Sequence, residues 1–248
     1  MIEQLKQYTL FENSTIEAYT LLENQGYCNE NYLIHSEEKK YILRKFIRTD
    51  IDRAFEFEVQ KRAHEIGISA EPLLLDQENA LSISTYVEGK HKDRLGKSDL
   101  EQFAEVLKKL HALKIEGASI SLERLIETPS EEVQNALRTI HTFESETVLC
   151  HNDLNPKNVL FADTIRLIDW EYASANDRYF DLASVAVEFA LSAEEEAHFL
   201  GSYFRTDSEI KYEKLKAYKV IYKALCMQWF DTLKSEQEDQ QTPPPQGD

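Results

Sequence analysis

The sequence predicts an α+β chain folded as two lobes, a small antiparallel sheet carrying one helix followed by a larger, mostly helical part. Three observations carry this. Short alternating or β-rich runs recur as far as Tyr86, broken by a single stretch of helical periodicity. Strand character then stops at Gly89, where the polar run Lys90-His91-Lys92-Asp93-Arg94 begins. Beyond it, apolar residues recur mainly at helical spacing. The lobes are therefore set at residues 1–88 and 89–235, with 236–248 as a tail.

In the first lobe, Ile2 to Gln7 can begin a helix and Ile16 to Leu22 reads as a strand. A turn-rich link containing Gly26 leads to the strand Tyr32-Leu33-Ile34, and Glu37 to Lys40 makes a hairpin turn into Tyr41 to Phe46. Alternation along that strand sets Arg44 on the face opposite Leu43; Lys45, its neighbour, points the other way and reads as a solvated charge. Asp52 to Glu65 has helical spacing and ends before Gly67, a C-cap signal. Glu58 is the expected helix partner of Arg44, with Glu56 as the alternative, because periodicity alone leaves both phases open. Pro72 to Leu75 and Leu81 to Tyr86 complete the sheet.

In the second lobe, Ser98-x-x-Glu101 has the form of a capping box ahead of the stripe Leu100, Phe103, Leu107 and Leu110. His111 lies on that stripe and reads as a buried, hydrogen-bonded histidine. A further helix starts near Thr128-Pro129, and Val148-Leu149-Cys150 is a short strand. Leu182 to Leu191, Glu194 to Phe204 and Tyr212 to Leu233 are helical. Glu236 to Asp248, rich in Gln and acidic residues around Pro243-Pro244-Pro245, cannot bury a core and is expected to be disordered.

The 248 residues, 42% of them hydrophobic, suffice for a sizeable core. A formal charge of -17 disfavours nucleic acid and anionic membranes as partners, since both require a basic face. It suits a cationic substrate. Cys28, Cys150 and Cys226 are odd in number and lack metal-ligand spacing, which argues against a disulfide framework or a zinc site. Met1 to Phe11 has no apolar core, and the most apolar stretch, Leu182 to Leu191, contains Glu188 and is too short to span a bilayer. The expected location is cytoplasmic, without membrane insertion.

One stretch carries the chemistry. His151-Asn152-Asp153-Leu154-Asn155-Pro156-Lys157-Asn158 precedes Val159-Leu160-Phe161, a polar break, and Ile165-Arg166-Leu167-Ile168-Asp169. The two apolar runs read as a hairpin, which brings Asn158 beside Asp169 at its open end. An amide oxygen and a carboxylate there are hard oxygen ligands, suited to Mg²⁺ held chiefly through nucleotide phosphates and water. Asp153 sits upstream on the same loop, free to take a proton. The spacing is that of the protein kinase catalytic loop, H-x-D-L-x-x-x-N, with its second metal-binding Asp further on.

With Leu167-Ile168-Asp169-Trp170-Glu171-Tyr172-Ala173 and Phe180-Asp181-Leu182-Ala183, the chain resembles the choline/ethanolamine kinase branch of the aminoglycoside phosphotransferase-like kinases. The resemblance runs from about Gln25 to Trp229 and is strongest from Leu149 to Ala183. It implies a bilobal protein-kinase-like fold that transfers the ATP γ-phosphoryl to an alcohol, with ATP and Mg²⁺ as cofactors. The pattern Gly26-x-x-Asn29-x-Asn31-Tyr32 is similar to the family's phosphate-covering loop, and Arg44 stands where protein kinases use a strand lysine. Glu58 would pair with it, and the backbone of Tyr86 and Val87 would form the adenine hinge. Asp153 would be the catalytic base, Asn158 and Asp169 the metal ligands. His151 and Asp181 would be structural supports of the loop, while Lys157 fits either the γ-phosphate or solvent.

Matching residue by residue places Asn155, Tyr172, Glu188 and Trp229 beside Asp153 in the acceptor pocket, which in the family holds an ammonium group with aromatic faces and acids. Ser184 stands where Asn is common, and Cys226 where the family often has another Trp. The implied acceptor is a small cationic alcohol, choline first. Thiamine, ethanolamine and aminoglycosides are the alternatives within the enzyme class. A silent ATP-binding pseudokinase is the alternative outside it, opposed by the presence of Asp153, Asn158 and Asp169 together.

Overall fold

The computed structural model describes residues 2–23, 29–114, 117 and 119–241, with side chains through 232. Gly26 thus lies outside the described residues. After a single helical turn, α1 (Ile2–Leu5), the first lobe is a five-stranded antiparallel sheet of β1 (Ile16–Leu21), β2 (Asn29–Ser36), β3 (Lys39–Phe46), β4 (Pro72–Asp76) and β5 (Leu81–Thr85), in the order β1-β2-β3-β5-β4. Helix α2 (Arg53–Glu65) joins β3 to β4, capped at its start by the Asp52 carboxylate.

The two sheet faces differ. Tyr41 and Leu43 of β3 are buried with Ile34, Leu81 and Ile83 under Leu5 and Phe11 of the N-terminal segment. The opposite face carries Arg44 and Phe46, which pair with Asn31 and Asn29 of β2. Directly paired residues share a face, so Asn29, Asn31, Arg44 and Phe46 look toward α2 and the second lobe. Lys45, on the other face, is solvent-exposed and reaches Glu30 at 3.5 Å.

The second lobe contains α3 (Lys97–Ala112), α4 (Leu122–Leu125), α5 (Glu131–Ile140), β6 (Thr147–Cys150), β7 (Val159–Phe161), β8 (Ile165–Leu167), β9 (Ser174–Asp177), α6 (Arg178–Glu188), α7 (Ala193–Tyr203) and α8 (Tyr212–Gln241). Val59, Ala63 and Ile68 belong to the same buried cluster as Phe103, Leu110, Trp170 and Phe199, so α2 faces the second lobe's core. The connection after α2 is stitched to β8. Leu167 N–H donates to the Ile68 carbonyl at 2.8 Å, and the Trp170 indole to Ser69 Oγ at 2.9 Å.

Several boundaries move from their expected places. Helix α3 begins at Lys97, and the Asp99 carboxylate accepts the Gly96 N–H at 3.0 Å, so Asp99 supplies the cap that Ser98 and Glu101 suggest. Ser130 caps α5, leaving Pro129 outside it. Helix α8 runs to Gln241, past the expected tail boundary at Glu236, because Glu and Gln sustain a helix already nucleated by the packed turns before them. Residues 242–248 lie outside the described residues. No helix among the described residues is long and apolar enough to cross a membrane.

Just beyond β5, Lys90 and Phe161 exchange backbone hydrogen bonds of 3.0 and 2.9 Å. A Cβ on Gly89 would lie 3.2 Å from Leu160 Cβ and 3.3 Å from the Phe161 carbonyl, which explains glycine there. This approach lays the chain leaving β5 directly along the β7–β8 hairpin.

Candidate active site

The hairpin forms as its spacing predicts. Val159 pairs with Leu167 and Phe161 with Ile165, and Ile168 N–H donates to the Asn158 carbonyl at 3.0 Å. Asp169 therefore follows directly on the strand beside Asn158. The loop before it is held from below by Asp181, whose carboxylate oxygens accept the His151 and Asn152 N–H groups, both at 2.9 Å. His111, buried as expected, adds a contact of 3.1 Å to Asp181 and one of 2.7 Å to the Tyr203 hydroxyl.

His151 is buried and hydrogen-bonded within the loop. Its Nε2 donates to the Ile168 carbonyl at 3.0 Å while Nδ1 accepts the Asp153 N–H at 3.3 Å, and its ring packs on Trp170. Asn152 and Asp169 adopt left-handed backbone conformations, φ 66° and 67°. Non-glycine residues hold that conformation where surroundings enforce it. For Asn152 the enforcement is visible: its amide bonds the Tyr172 carbonyl, Ser174 Oγ and the Asn176 amide at 2.8 to 2.9 Å.

Asp153 has both carboxylate oxygens held. Asn155 Nδ2 donates to Oδ1 at 2.9 Å and Asn158 Nδ2 to Oδ2 at 2.6 Å. Burial, with Asp169 adding its negative charge, raises the Asp153 carboxyl above the usual range against the opposing pull of Asn155, His151 and Asn158. A carboxylate so placed is poised to accept a proton.

Asp169 Oδ1 pairs with Arg44 Nη2 at 2.8 Å. Since the Asn158 amide nitrogen is committed to Asp153, its oxygen is what remains to offer a cation. The donor set is thus an amide oxygen and a carboxylate, both hard oxygen donors, a fit for a hard divalent ion. Arg44 Nη1 bonds Glu56 Oε1 at 2.5 Å. Burial works to lower the Arg44 guanidinium, but Asp169, Glu56 and Glu171 outweigh it and hold the group above its usual value.

Two expectations change here. The helix partner of Arg44 is Glu56; the Glu58 side chain is 45% exposed and bonds Arg62 at 2.8 Å. Arg53, Glu56, Val59 and Ala63 form the buried face of α2, and a residue two positions on from Glu56 is turned away from it. Tyr86 N–H is committed to the Lys40 carbonyl at 3.0 Å, so a hinge contact by Tyr86 can use only its carbonyl. Asn31 sits directly across from Arg44, and Val87 follows on from β5. Lys157 is exposed.

At the other end of the site, Glu188 accepts the Tyr222 hydroxyl at 2.9 Å. Burial raises its carboxyl, and Asp153 contributes, which puts the two acids in one electrostatic neighbourhood. Cys226 shares it, its thiol pushed up to about 11 by burial with Glu188 and Asp153 adding. Trp229, half-buried, packs edge-on to Phe230. The Tyr172 hydroxyl accepts from Arg48 at 3.3 Å, so Tyr172 is tied across the lobes.

The sequence profile of the choline/ethanolamine kinase family matches residues 58–230. The chain belongs to the choline/ethanolamine kinase family. This kinase is a phosphotransferase with an alcohol group as acceptor. It is 27% identical over 236 residues to protein LicA of Haemophilus influenzae, covering 81% of this chain and 88% of that one. The fold matches the choline kinase LicA from Streptococcus pneumoniae with a TM-score of 0.74 at 23% identity, over 98% of this chain and 93% of that one. A choline/ethanolamine kinase family protein from Mesorhizobium loti superimposes with a TM-score of 0.75 at 18% identity, over 97% and 87% of the two chains.

Sequence reasoning missed Arg53, and it saw Glu171 only as part of the motif. Arg53 Nη1 lies 2.7 Å from Glu56 Oε2 and 3.4 Å from Glu171 Oε2, and Asn29 bridges Arg53 and Glu171. The available signal was helical spacing: Arg53 is three residues before Glu56 on one face.

Proposed function

We propose that the kinase transfers the γ-phosphoryl of ATP to choline, with Asp153 accepting the hydroxyl proton. The observation that carries this reading is the held carboxylate of Asp153, bonded to Asn158, whose backbone carbonyl accepts the Ile168 N–H immediately before Asp169, itself paired with Arg44. Asn158 and Asp169 would hold Mg²⁺. Such an ion supplies charge neutralisation on the phosphates. Arg44, fixed by Glu56, positions phosphate oxygens through its fork, with Asn31 beside it on the paired strand. The hinge at Tyr86 and Val87 receives the adenine.

Because transfer proceeds through a loose transition state, positioning and charge account for most of the acceleration. The acidic neighbourhood of Asp153 and Glu188 favours an acceptor carrying positive charge, and Tyr172 and Trp229 provide aromatic faces for it. Asn155, on one oxygen of Asp153, orients the base toward the acceptor hydroxyl. The solved LicA of Streptococcus pneumoniae is a choline kinase, and a LicA structure has been determined with AMP, which supports a nucleotide in this cleft.

Ethanolamine is the second reading, favoured by Cys226. A thiol there gives no ring for a quaternary ammonium, whereas a primary ammonium can donate hydrogen bonds to Glu188. ATP consumption by the purified protein over choline, ethanolamine, thiamine and an aminoglycoside separates these. Fastest turnover with choline supports the first reading; preference for ethanolamine overturns it in favour of the second.

A further inference from the structure

A buried charge cluster joins the lobes beside the phosphate end of the cleft, and the reaction outlined above leaves its centre unused. Arg53, at the start of α2, is 8% exposed. One Nη bonds Glu56 at 2.7 Å and lies 3.4 Å from Glu171; the other donates to Asn29 Oδ1 at 3.1 Å. Its guanidinium lies 4.1 Å over the Phe46 ring, and Asn29 Nδ2 donates to Glu171 at 2.9 Å. The Glu56 and Glu171 side chains are themselves 8% and 4% exposed.

Stability alone is a poor reason for this arrangement. Buried ion pairs seldom outperform well-packed apolar residues, and Arg53 Nε is buried without a hydrogen-bond partner. What the arrangement does is geometric. Glu56 has two oxygens, one on Arg44 and one on Arg53, so Arg53 fixes the carboxylate that aims Arg44. Glu171 stands two residues after Asp169, so the same guanidinium also grips the segment that carries Asp169.

We propose that Arg53 is a positioning residue for phosphoryl transfer, holding Glu56 on α2 and Glu171 beyond Asp169 so that Arg44 and Asp169 stay in register across the cleft. The inference rests on the assignment of Arg44 to phosphates and Asp169 to the metal. It predicts that loss of Arg53 acts on the nucleotide and metal end and spares the acceptor end. Without the fork, two buried carboxylates lose their shared cation and Arg44 is left among three acids.

The test compares steady-state kinetics of the full chain as Arg53→Met, Arg53→Lys, Glu171→Gln and the double variant Arg53→Met/Glu171→Gln, with thermal unfolding of each. Arg53→Met should lower kcat about 10- to 100-fold, as misplacement of reacting groups does, while raising the KM for Mg-ATP and the half-saturating Mg²⁺ concentration and leaving the acceptor KM unchanged. Arg53→Lys, which keeps charge but not the fork, should fall between. The double variant should lose less than the product of the single losses. A folded Arg53→Met protein with normal kcat and Mg²⁺ dependence overturns the proposal, as does a fully additive double variant. If Arg53→Met does not fold, Arg53→Lys decides: lowered kcat at unchanged melting temperature supports the proposal, and unchanged kcat overturns it. Asp169→Ala is run alongside, since turnover by that variant refutes the metal assignment itself, independently of Arg53.

Discussion

The two ends of the cleft are held differently. At the proposed phosphate end, Arg44, Glu56, Arg53, Glu171 and Asp169 form a continuous set of charged contacts in which the side chains of Glu56, Arg53 and Glu171 are buried. At the proposed acceptor end, Glu188 is bonded to Tyr222, Cys226 offers a small side chain, and Trp229 is half-buried against an exposed phenyl ring. The first end is constrained from three elements at once; the second is lined by side chains of two helices with room for change. A fold built this way can keep phosphoryl transfer constant while the acceptor pocket varies.

The contrast can be sharpened first at Glu56. Glu56→Gln removes the charge that aims Arg44 and should lower kcat/KM for ATP about 10- to 100-fold, a misplacement effect, whereas Glu58→Gln should change it less than about twofold. Equal losses would show that α2 acts through its general charge and not through one contact. Next comes pH. Since burial and Asp169 raise the Asp153 carboxyl and the base must be ionised, kcat should fall as pH drops through a value above the ordinary carboxylate range. A profile flat down to the ordinary range would remove Asp153 as the titrating base. The smallest effect belongs to the acceptor end. Cys226→Trp should raise the choline-to-ethanolamine ratio of kcat/KM roughly 2- to 30-fold, the span of a cation–π contact of about 0.5 to 2 kcal/mol. A ratio that stays put would place Cys226 outside the ammonium's reach.

Much of this was legible in the chain because it is local. The register that sets Asn158 beside Asp169 follows from two apolar runs and the break between them, and alternation along β3 gives Arg44 its face. The helix phase was not legible to the same degree. Glu56 and Glu58 both fit an amphipathic stretch until the buried set Arg53, Glu56, Val59 and Ala63 singles one out. The contact between Arg53 and Glu171 joins residues 118 positions apart, and no local pattern announces such a pair. Buried charges break the rule that polar residues face water, so a periodicity argument passes over them. Asp181 stood out through its motif, and its carboxylate accepts two N–H groups of the loop, those of His151 and Asn152.

The most direct test of the central claim, that Asp153, Asn158 and Asp169 act around one metal-bound nucleotide, is ATP-dependent phosphorylation of choline by purified, folded Asp169→Ala protein across a Mg²⁺ titration. The account predicts no turnover above background at any Mg²⁺ concentration, with the melting temperature close to that of the parent protein. Turnover at the parent's rate would contradict it.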